Sequence, residues 1–383
     1  MLDESLLDSP EALARVDRDA LLRGTAEAGA RVRSAIRLAD EVGLDRLSPE
    51  GRPRAVLVAG QSPTASCVAD LLDAMGGGAL PVTLVRPTGP LGDPDALRWA
   101  LPGWAGPMDL LLLASCEGHE PGLALLVEQA YRRGCTVVTV CPPEAPLAEA
   151  ARQARGLPVP LARTPLEAEG VENPADARRV SPGALWALLT PLLVLGDRVG
   201  LVSAPPKALQ ALADRLDSVA ERCGPAQATY DNPAKALAAE LADAVPVLWS
   251  EGELAGAAAR HAATLLTGLA GRPTLTARLP EALVEHPALL SGTLGGGQDP
   301  EDFFRDRVEE PEPLRVHVVL VREGPPDADS PSPAARELAY ARETALTELE
   351  PAEGLTPLEG VAELIATLDF AAVYLTLAGR DPS

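Results

Sequence analysis

Residues 109–141 constrain the fold of this 383-residue chain more than any other stretch. An apolar run at 109–114 leads into the polar loop Ser115–Glu120, a helically spaced segment follows at 123–133, and a second apolar run occupies 135–141. This strand–loop–helix–strand order predicts a βαβ unit of a parallel sheet. Ligands of open parallel sheets bind at the carboxyl ends of the strands, so we expect the loop to line any small-molecule site.

The same alternation of strands and helices continues on both sides of this unit. Further strands are predicted at 54–60, 80–85, 158–162, 245–249, 274–277 and 314–321. Further helices are predicted at 65–75, 145–155, 181–196, 205–222, 254–269, 334–348 and 358–377. The pattern predicts two doubly wound, three-layer α/β/α domains at 49–200 and 201–383, after a helical segment at 1–48. Two helix starts are specific: Ser9 is expected to cap a helix that begins at Pro10, and Asn232 one that begins at Pro233.

Charge and apolar-run lengths exclude several function classes. The formal net charge of −22 argues against nucleic acid and anionic membranes as partners, because both need clusters of Lys and Arg. The longest apolar run, 184–196, contains Pro191 and is shorter than the roughly 20 residues of a membrane span. The first residues do not have the pattern of a signal peptide. We therefore expect a cytoplasmic protein without a membrane contact.

Metal and redox chemistry also find little support in the sequence. The five cysteines show no CxxC spacing, so they are predicted to be free thiols in a reducing compartment. Cys67, Cys135 and Cys141 lie in apolar runs and are predicted to be buried. The four histidines show no paired spacing, so no metal site is predicted. No glycine-rich nucleotide motif is present, and no cofactor is expected.

Single residues allow more than one interpretation. The loop 61–66 opens a helix and can hold an anion through its backbone N–H groups, or Ser62 can simply cap that helix. His119 could bind a polar group of a ligand, although a surface role fits a lone loop histidine better. His261, in mid-helix, is predicted to be solvated, and His317 to face solvent or a partner strand.

Several motifs, in order and spacing, resemble one known family. Gly60-Gln-Ser-Pro-Thr-Ala stands where that family has Gly-Met-Gly-Gly-Ser-Ala, and Ser115-Cys-Glu-Gly-His-Glu where it has Ser-Tyr-Ser-Gly-Asn-Thr. Asn232-Pro-Ala-Lys and Leu279-Pro-Glu match motifs of the second half. The chain thus resembles the bifunctional phosphoglucose/phosphomannose isomerases, which are built from two sugar-isomerase (SIS) domains. The resemblance implies two SIS-type domains, a sugar-phosphate ligand and a homodimer.

The resemblance also implies a set of ligand-binding residues in the first domain. The positions that match the family's binding loops are Gly60, Ser62, Thr64, Ser115, Glu117, Gly118 and His119. Glu117 and Glu120 replace hydroxyl residues of the family, and a carboxylate repels a phosphate dianion. Glu117 is therefore expected to be protonated on binding or to point away, unless the ligand is neutral or cationic. The family's phosphate-site Arg is missing, and Arg178 or Arg179 could replace it.

The catalytic positions depart further from the family pattern. The resemblance implies a carboxylate base and a ring-opening His for aldose–ketose isomerisation of hexose 6-phosphates. These positions hold Gly268 and Val284, neither of which can transfer a proton. Glu281 and His286 lie close by and are the possible substitutes. Two hypotheses remain. The protein is an isomerase with impaired activity and substituted catalytic groups, or it is a non-catalytic SIS protein that binds a carbohydrate derivative or has a regulatory role.

Overall fold

The computed structural model describes residues 4–44, 51–60, 63–89, 96–163, 182–291 and 315–379. The chain forms two compact units, one made of residues 23–218 and the other of residues 1–22 together with 219–383. Each unit contains one parallel sheet with flanking helices, so the predicted α/β fold is confirmed. The grouping does not follow the predicted domain boundaries at 48/49 and 200/201, which remain predictions.

All strand pairs in both sheets are parallel. The strands are β1 Ala55–Ala59, β2 Val82–Val85, β3 Asp109–Ala114, β4 Thr136–Cys141, β5 Leu157–Pro160, β6 Ala244–Glu251, β7 Leu275–Arg278, β8 Arg315–Arg322 and β9 Ala345–Leu349. Across the described residues, the first sheet has the order β2-β1-β3-β4-β5 and the second the order β7-β6-β8-β9. In both sheets the chain reverses its direction of winding next to the first strand, and such a reversal is where open sheets bind ligands.

The helices of the described residues are numbered in chain order, and the first four precede β1. They are α1 Glu4–Leu7, α2 Pro10–Val16, α3 Leu21–Ala26, α4 Ala28–Glu41, α5 Pro63–Gly76, α6 Pro121–Arg132, α7 Pro146–Gln153, α8 Ala184–Arg198, α9 Pro206–Arg222, α10 Pro233–Leu241, α11 Glu253–Gly268, α12 Ala282–Glu285, α13 Pro287–Ser291, α14 Ser332–Ala341 and α15 Pro357–Ala378.

Local capping signals determine two of the helix starts as predicted. The Ser9 hydroxyl accepts a hydrogen bond from the backbone N–H of Ala12, and Pro10 is the first residue of α2. The Asn232 side chain accepts from the N–H groups of Ala234 and Lys235 at the start of α10. Each side-chain oxygen satisfies a donor that the first helical turn leaves without an intrahelical partner.

One predicted helix was wrong over its second half. The segment 334–348 was expected to be helical throughout, but α14 ends at Ala341 and β9 begins at Ala345. Glu343 adopts a positive φ of 51° between them, a conformation that an α-helix does not allow. Within β9, Glu348 pairs with Arg322 of the neighbouring strand and with Arg336 of α14, so distant residues specify this edge strand.

The helix α15 lies in the core of the second-sheet unit. It is long and apolar enough to cross a membrane by length and composition alone, but its apolar window is 100% buried inside the protein. Its neighbours include α10 and α11 of the same unit. Burial on all sides is typical of a core helix, and it explains why the apolar residues of α15 are not confined to one face.

Candidate functional site

The first-domain site is built at the carboxyl edge of β1 and β3. These strands are neighbours in the sheet, so Gly60 after β1 and Ser115 after β3 leave it side by side. A Cβ on Gly60 would lie 2.5 Å from the Cβ of Ala65 and closer still to the carbonyl oxygen of Ala114. Only glycine therefore fits at this position. The structure thus brings together the two loops that the sequence predicted, at the point where the strand order reverses.

The Ser115 hydroxyl is fully engaged within its own loop. It lies 2.9 Å and 3.0 Å from the two carboxylate oxygens of Glu120, to which it can donate one hydrogen bond at a time. It accepts hydrogen bonds from the backbone N–H of Gly118 at 2.7 Å and of Glu117 at 3.2 Å. Ser115 is only 2% exposed and Glu120 only 7%. The hydroxyl and the two N–H groups therefore have partners without any ligand.

Burial of the Glu120 carboxyl raises its pKa above the usual value. The hydrogen bonds from its own N–H and from Ser115 lower the pKa but do not offset the burial, and the charge of Glu117 adds to the rise. A carboxyl group in an apolar setting favours its neutral form because ionisation there loses hydration. Glu120 thus closes the loop on the side where the family resemblance places a threonine.

Neighbouring groups hold the rest of the loop in place. Gly118 has a φ of 69°, and a Cβ there would lie 2.7 Å from the Cβ of Ala145. The Arg163 guanidinium donates to the carbonyl oxygen of Cys116 at 3.2 Å and pairs with Glu144. Sequence reasoning missed Arg163, because it follows a short strand and no local pattern links it to the loop.

The remaining predicted binding residues are placed as follows. Thr64 lies in the first turn of α5 and is only 4% exposed. His119 is exposed at the tip of the loop. Ser62, Arg178 and Arg179 lie outside the described residues.

The two positions that the family resemblance assigns to the catalytic residues are exposed. Gly268 is the last residue of α11, and Val284 lies on the short helix α12 with 84% of its surface exposed. Neither side chain can accept or donate a proton. The chemistry of isomerisation therefore depends on whether other groups take over these roles.

The structure places the possible substitutes Glu281 and His286 on different faces of one helical segment. They flank α12 five residues apart, which separates their side chains by roughly 140° around the helix axis. His286 turns inward, where its Nδ1 accepts a hydrogen bond of 2.8 Å from the buried Trp249 indole, and burial lowers its pKa. Glu281 is exposed and lines a separate cavity. Their catalytic role stays a prediction.

A second carboxylate occupies the helix start that follows β6. Glu323 accepts hydrogen bonds from the backbone N–H groups of Leu254 at 2.6 Å and Ala255 at 3.2 Å. Gly252 has a φ of 103°, and a Cβ there would overlap the Glu323 carboxylate. Helix starts after parallel strands are common anion sites, and here the chain's own carboxylate holds that position.

Two histidine predictions can now be judged. His261 was predicted to be solvated, and this was wrong: it is 6% exposed, and its Nε2 lies 2.9 Å from a carboxylate oxygen of the buried Asp369. The cause is the packing of α11 against α15, which covers the face that carries His261. His317 contacts the hydroxyl of Thr347 on the adjacent strand β9 at 2.9 Å, in agreement with the partner-strand alternative.

The two parallel sheets and the loops after β1 and β3 define the protein as a two-domain α/β protein of the SIS type. Comparison with family models agrees. Residues 230–383 match the family described as the bacterial phospho-glucose isomerase C-terminal SIS domain. This match confirms the resemblance found in the sequence. No curated protein sequence matches the chain.

Solved structures with the same fold cover nearly the whole chain. A glucose-6-phosphate isomerase like protein from Thermus thermophilus is 23% identical, with a TM-score of 0.50 over 98% of this chain and 94% of that one. Tagatose-6-phosphate ketose/aldose isomerase from Escherichia coli is 12% identical, with a TM-score of 0.53 over 94% and 90%. The C-terminal domain of glucosamine-fructose-6-phosphate aminotransferase from Francisella tularensis is 11% identical, with a TM-score of 0.55 over 94% and 96%. At these identities the likeness shows the fold alone.

Proposed function

We propose that this protein is an SIS-family carbohydrate-derivative-binding protein in which the isomerisation of hexose 6-phosphates is impaired or lost. The observation that carries the proposal is the buried contact between Glu120 and Ser115. It occupies the loop that the family resemblance assigns to the sugar phosphate, at the switch point of the first sheet.

The closed loop disfavours a phosphate dianion for two reasons. The Ser115 hydroxyl and the N–H groups of Glu117 and Gly118 are already hydrogen-bonded, so a phosphate would have to displace an internal contact. In addition, Glu120 repels the phosphate to the extent that it is ionised. At about 4 Å and an effective dielectric constant near 20, this costs roughly 4 kcal/mol per pair of unit charges. A neutral or cationic carbohydrate derivative avoids this repulsion.

The catalytic positions support the same proposal. Moving a proton between two sugar carbons requires a base close to both, and general bases act only within hydrogen-bonding reach. Gly268 and Val284 offer no such group, and Glu281 and His286 diverge around α12. His286 also uses Nδ1 to accept from Trp249, which leaves only Nε2 for any ligand.

The alternative is an active isomerase with a relocated base. The match of residues 230–383 to the family of the bacterial phospho-glucose isomerase C-terminal SIS domain favours it. In that case Glu281 would act as the base, because its carboxylate is exposed and lines a cavity. The cytoplasmic location and the homodimer that the sequence analysis anticipates fit either candidate.

Proton NMR in D₂O separates the two candidates. Glucose, mannose and fructose 6-phosphates are incubated in turn with the pure protein at high concentration. No exchange at C2 and no interconversion over hours is the result we expect. Turnover that disappears in the Glu281→Gln, His286→Ala double variant would establish the isomerase instead. Turnover that persists in the double variant would point to a contaminating isomerase, and repeated purification would then remove it.

A further inference from the structure

A cavity of about 320 Å³ opens at the carboxyl edge of β6 and β7 in the second-sheet unit. Its lining comes from the end of β6, from one face of α11, from β7 and from the segment just after it. Its size is at the lower end of the range for small-molecule sites. Neither the family's catalytic positions nor the loop Ser115–Glu120 contributes to it.

Three polar groups converge in this cavity on the backbone of Gly256. A Cβ at Gly256 would lie 3.3 Å from Nη1 of Arg260, 3.5 Å from the hydroxyl oxygen of Ser250 and 4.0 Å from Nε of Arg278. Gly256 and Arg260 are one helical turn apart and share a face of α11. The absence of a side chain at Gly256 leaves room between two guanidinium groups and a hydroxyl.

Ser250 is the buried member of this group. It is only 3% exposed and lies next to the end of β6, where its backbone carbonyl accepts the N–H of Leu279. The residue also lines the cavity. Its hydroxyl can therefore donate a hydrogen bond to a group that enters the cavity.

Two carboxylates near the cavity help to define which chemical groups a ligand of this cavity would carry. Glu253 pairs with Arg278, but both side chains are well exposed, and such surface pairs hold each other weakly. Glu281 lines the cavity and is exposed, and Thr276 lies beside it. Two arginines suit an oxyanion, whereas a carboxylate acceptor suits the hydroxyl groups of the same ligand.

We propose that this cavity binds the oxyanion group, phosphate or carboxylate, of a small hydroxylated metabolite, with Arg260, Arg278 and Ser250 as its donors. Glu281 then accepts hydrogen bonds from the ligand's hydroxyls. The proposal does not involve the first-domain loop, but Glu281, the candidate base of the alternative isomerase, lines the same cavity.

Isothermal titration calorimetry on the full chain tests the proposal with inorganic phosphate, glucose 6-phosphate and gluconate. We expect wild type to bind all three. The Arg260→Gln, Arg278→Gln double variant should bind each at least about tenfold more weakly, which corresponds to about 1.4 kcal/mol. Ser250→Ala should weaken each by about fivefold, since it removes one hydrogen bond. Glu281→Gln should weaken the two hydroxylated ligands relative to inorganic phosphate.

The matched control is the Arg315→Gln, Arg342→Gln double variant, which removes the same charge at two exposed arginines outside the cavity. It should bind as wild type does. Three results would overturn the proposal: no binding of any ligand by wild type, equal binding by the Arg260 and Arg278 variant, or an equal loss in the control. Tighter binding of gluconate than of glucose 6-phosphate would assign the site to carboxylates, and the reverse to phosphates.

Discussion

Glutamine at position 120 would remove one buried ionisable group while keeping nearly the same side-chain shape. Burial raises the pKa of Glu120 in the folded protein. Below the usual glutamate pKa, about 4.3, the carboxyl is protonated in both the folded and the unfolded chain. Its ionisation then does not change the free energy of unfolding. As the pH rises above that value, the unfolded chain loses its proton first, so wild type loses stability until the pH passes the raised folded pKa.

The Glu120→Gln variant does not titrate at this site, so its free energy of unfolding minus that of wild type should rise with pH. Each unit by which the folded pKa is raised adds about 1.4 kcal/mol to this rise. The variant also buries an amide NH₂, and a missing acceptor for it would cost about 1–3 kcal/mol. That cost is the same at every pH, so it shifts the difference without changing its slope.

Urea denaturation at several values between about pH 4.5 and pH 8, starting near the usual glutamate pKa, measures the difference. Glu128→Gln changes an exposed carboxylate on α6 of the same domain and serves as the matched control, with a much smaller slope expected. A difference for Glu120→Gln that is flat, or that falls as the pH rises, would show that the carboxyl is not buried against Ser115. The closed loop, and the proposed function with it, would then lose their main support.

Three further substitutions test close contacts within the two units. Gly60→Ala places a methyl group against the Ala114 carbonyl and should lower the free energy of unfolding by about 1–3 kcal/mol. Lys235→Met removes the buried ammonium group that donates to two backbone carbonyls, so urea denaturation should show a loss of at least about 1–3 kcal/mol. His286→Ala leaves the indole N–H of the buried Trp249 without its acceptor, with a loss of about 1–3 kcal/mol and a shifted tryptophan emission.

Each of these has a control at an exposed residue of the same type. Gly103→Ala puts a methyl group where no other atom lies within 4 Å, Lys207→Met changes an exposed lysine, and His119→Ala changes an exposed histidine. All three controls should unfold within about 0.5 kcal/mol of wild type. A control as destabilised as its partner would remove the packing explanation for that pair.

Sequence alone predicts those features that depend on neighbours along the chain. The caps at Ser9 and Asn232 follow from the residue type and the proline that comes next, and both are present. The βαβ unit follows from apolar runs and the helical spacing between them. The loop after β3 could likewise be predicted as a site, since parallel strands end at a common edge.

The features that sequence missed depend on contacts between distant residues. The helical pattern of 334–348 did not show that Glu348 would pair with Arg322, which is 26 residues away, in a new edge strand. The position of His261 in a helix did not reveal Asp369, since these two partners are 108 residues apart. Glu120 is only five residues from Ser115, yet their contact spans the turn at Gly118, whose positive φ the spacing alone does not reveal.

The two domains share one feature that bears on the whole molecule. In the first, the Glu120 carboxylate closes the loop beside the switch point, and in the second the Glu323 carboxylate caps the helix after β6. Both positions are ones at which parallel α/β folds commonly hold a phosphate. A phosphate at either would have to displace a carboxylate that is already hydrogen-bonded. The arginine-lined cavity lies instead beside β7, and this asymmetry is why we expect an anionic ligand there.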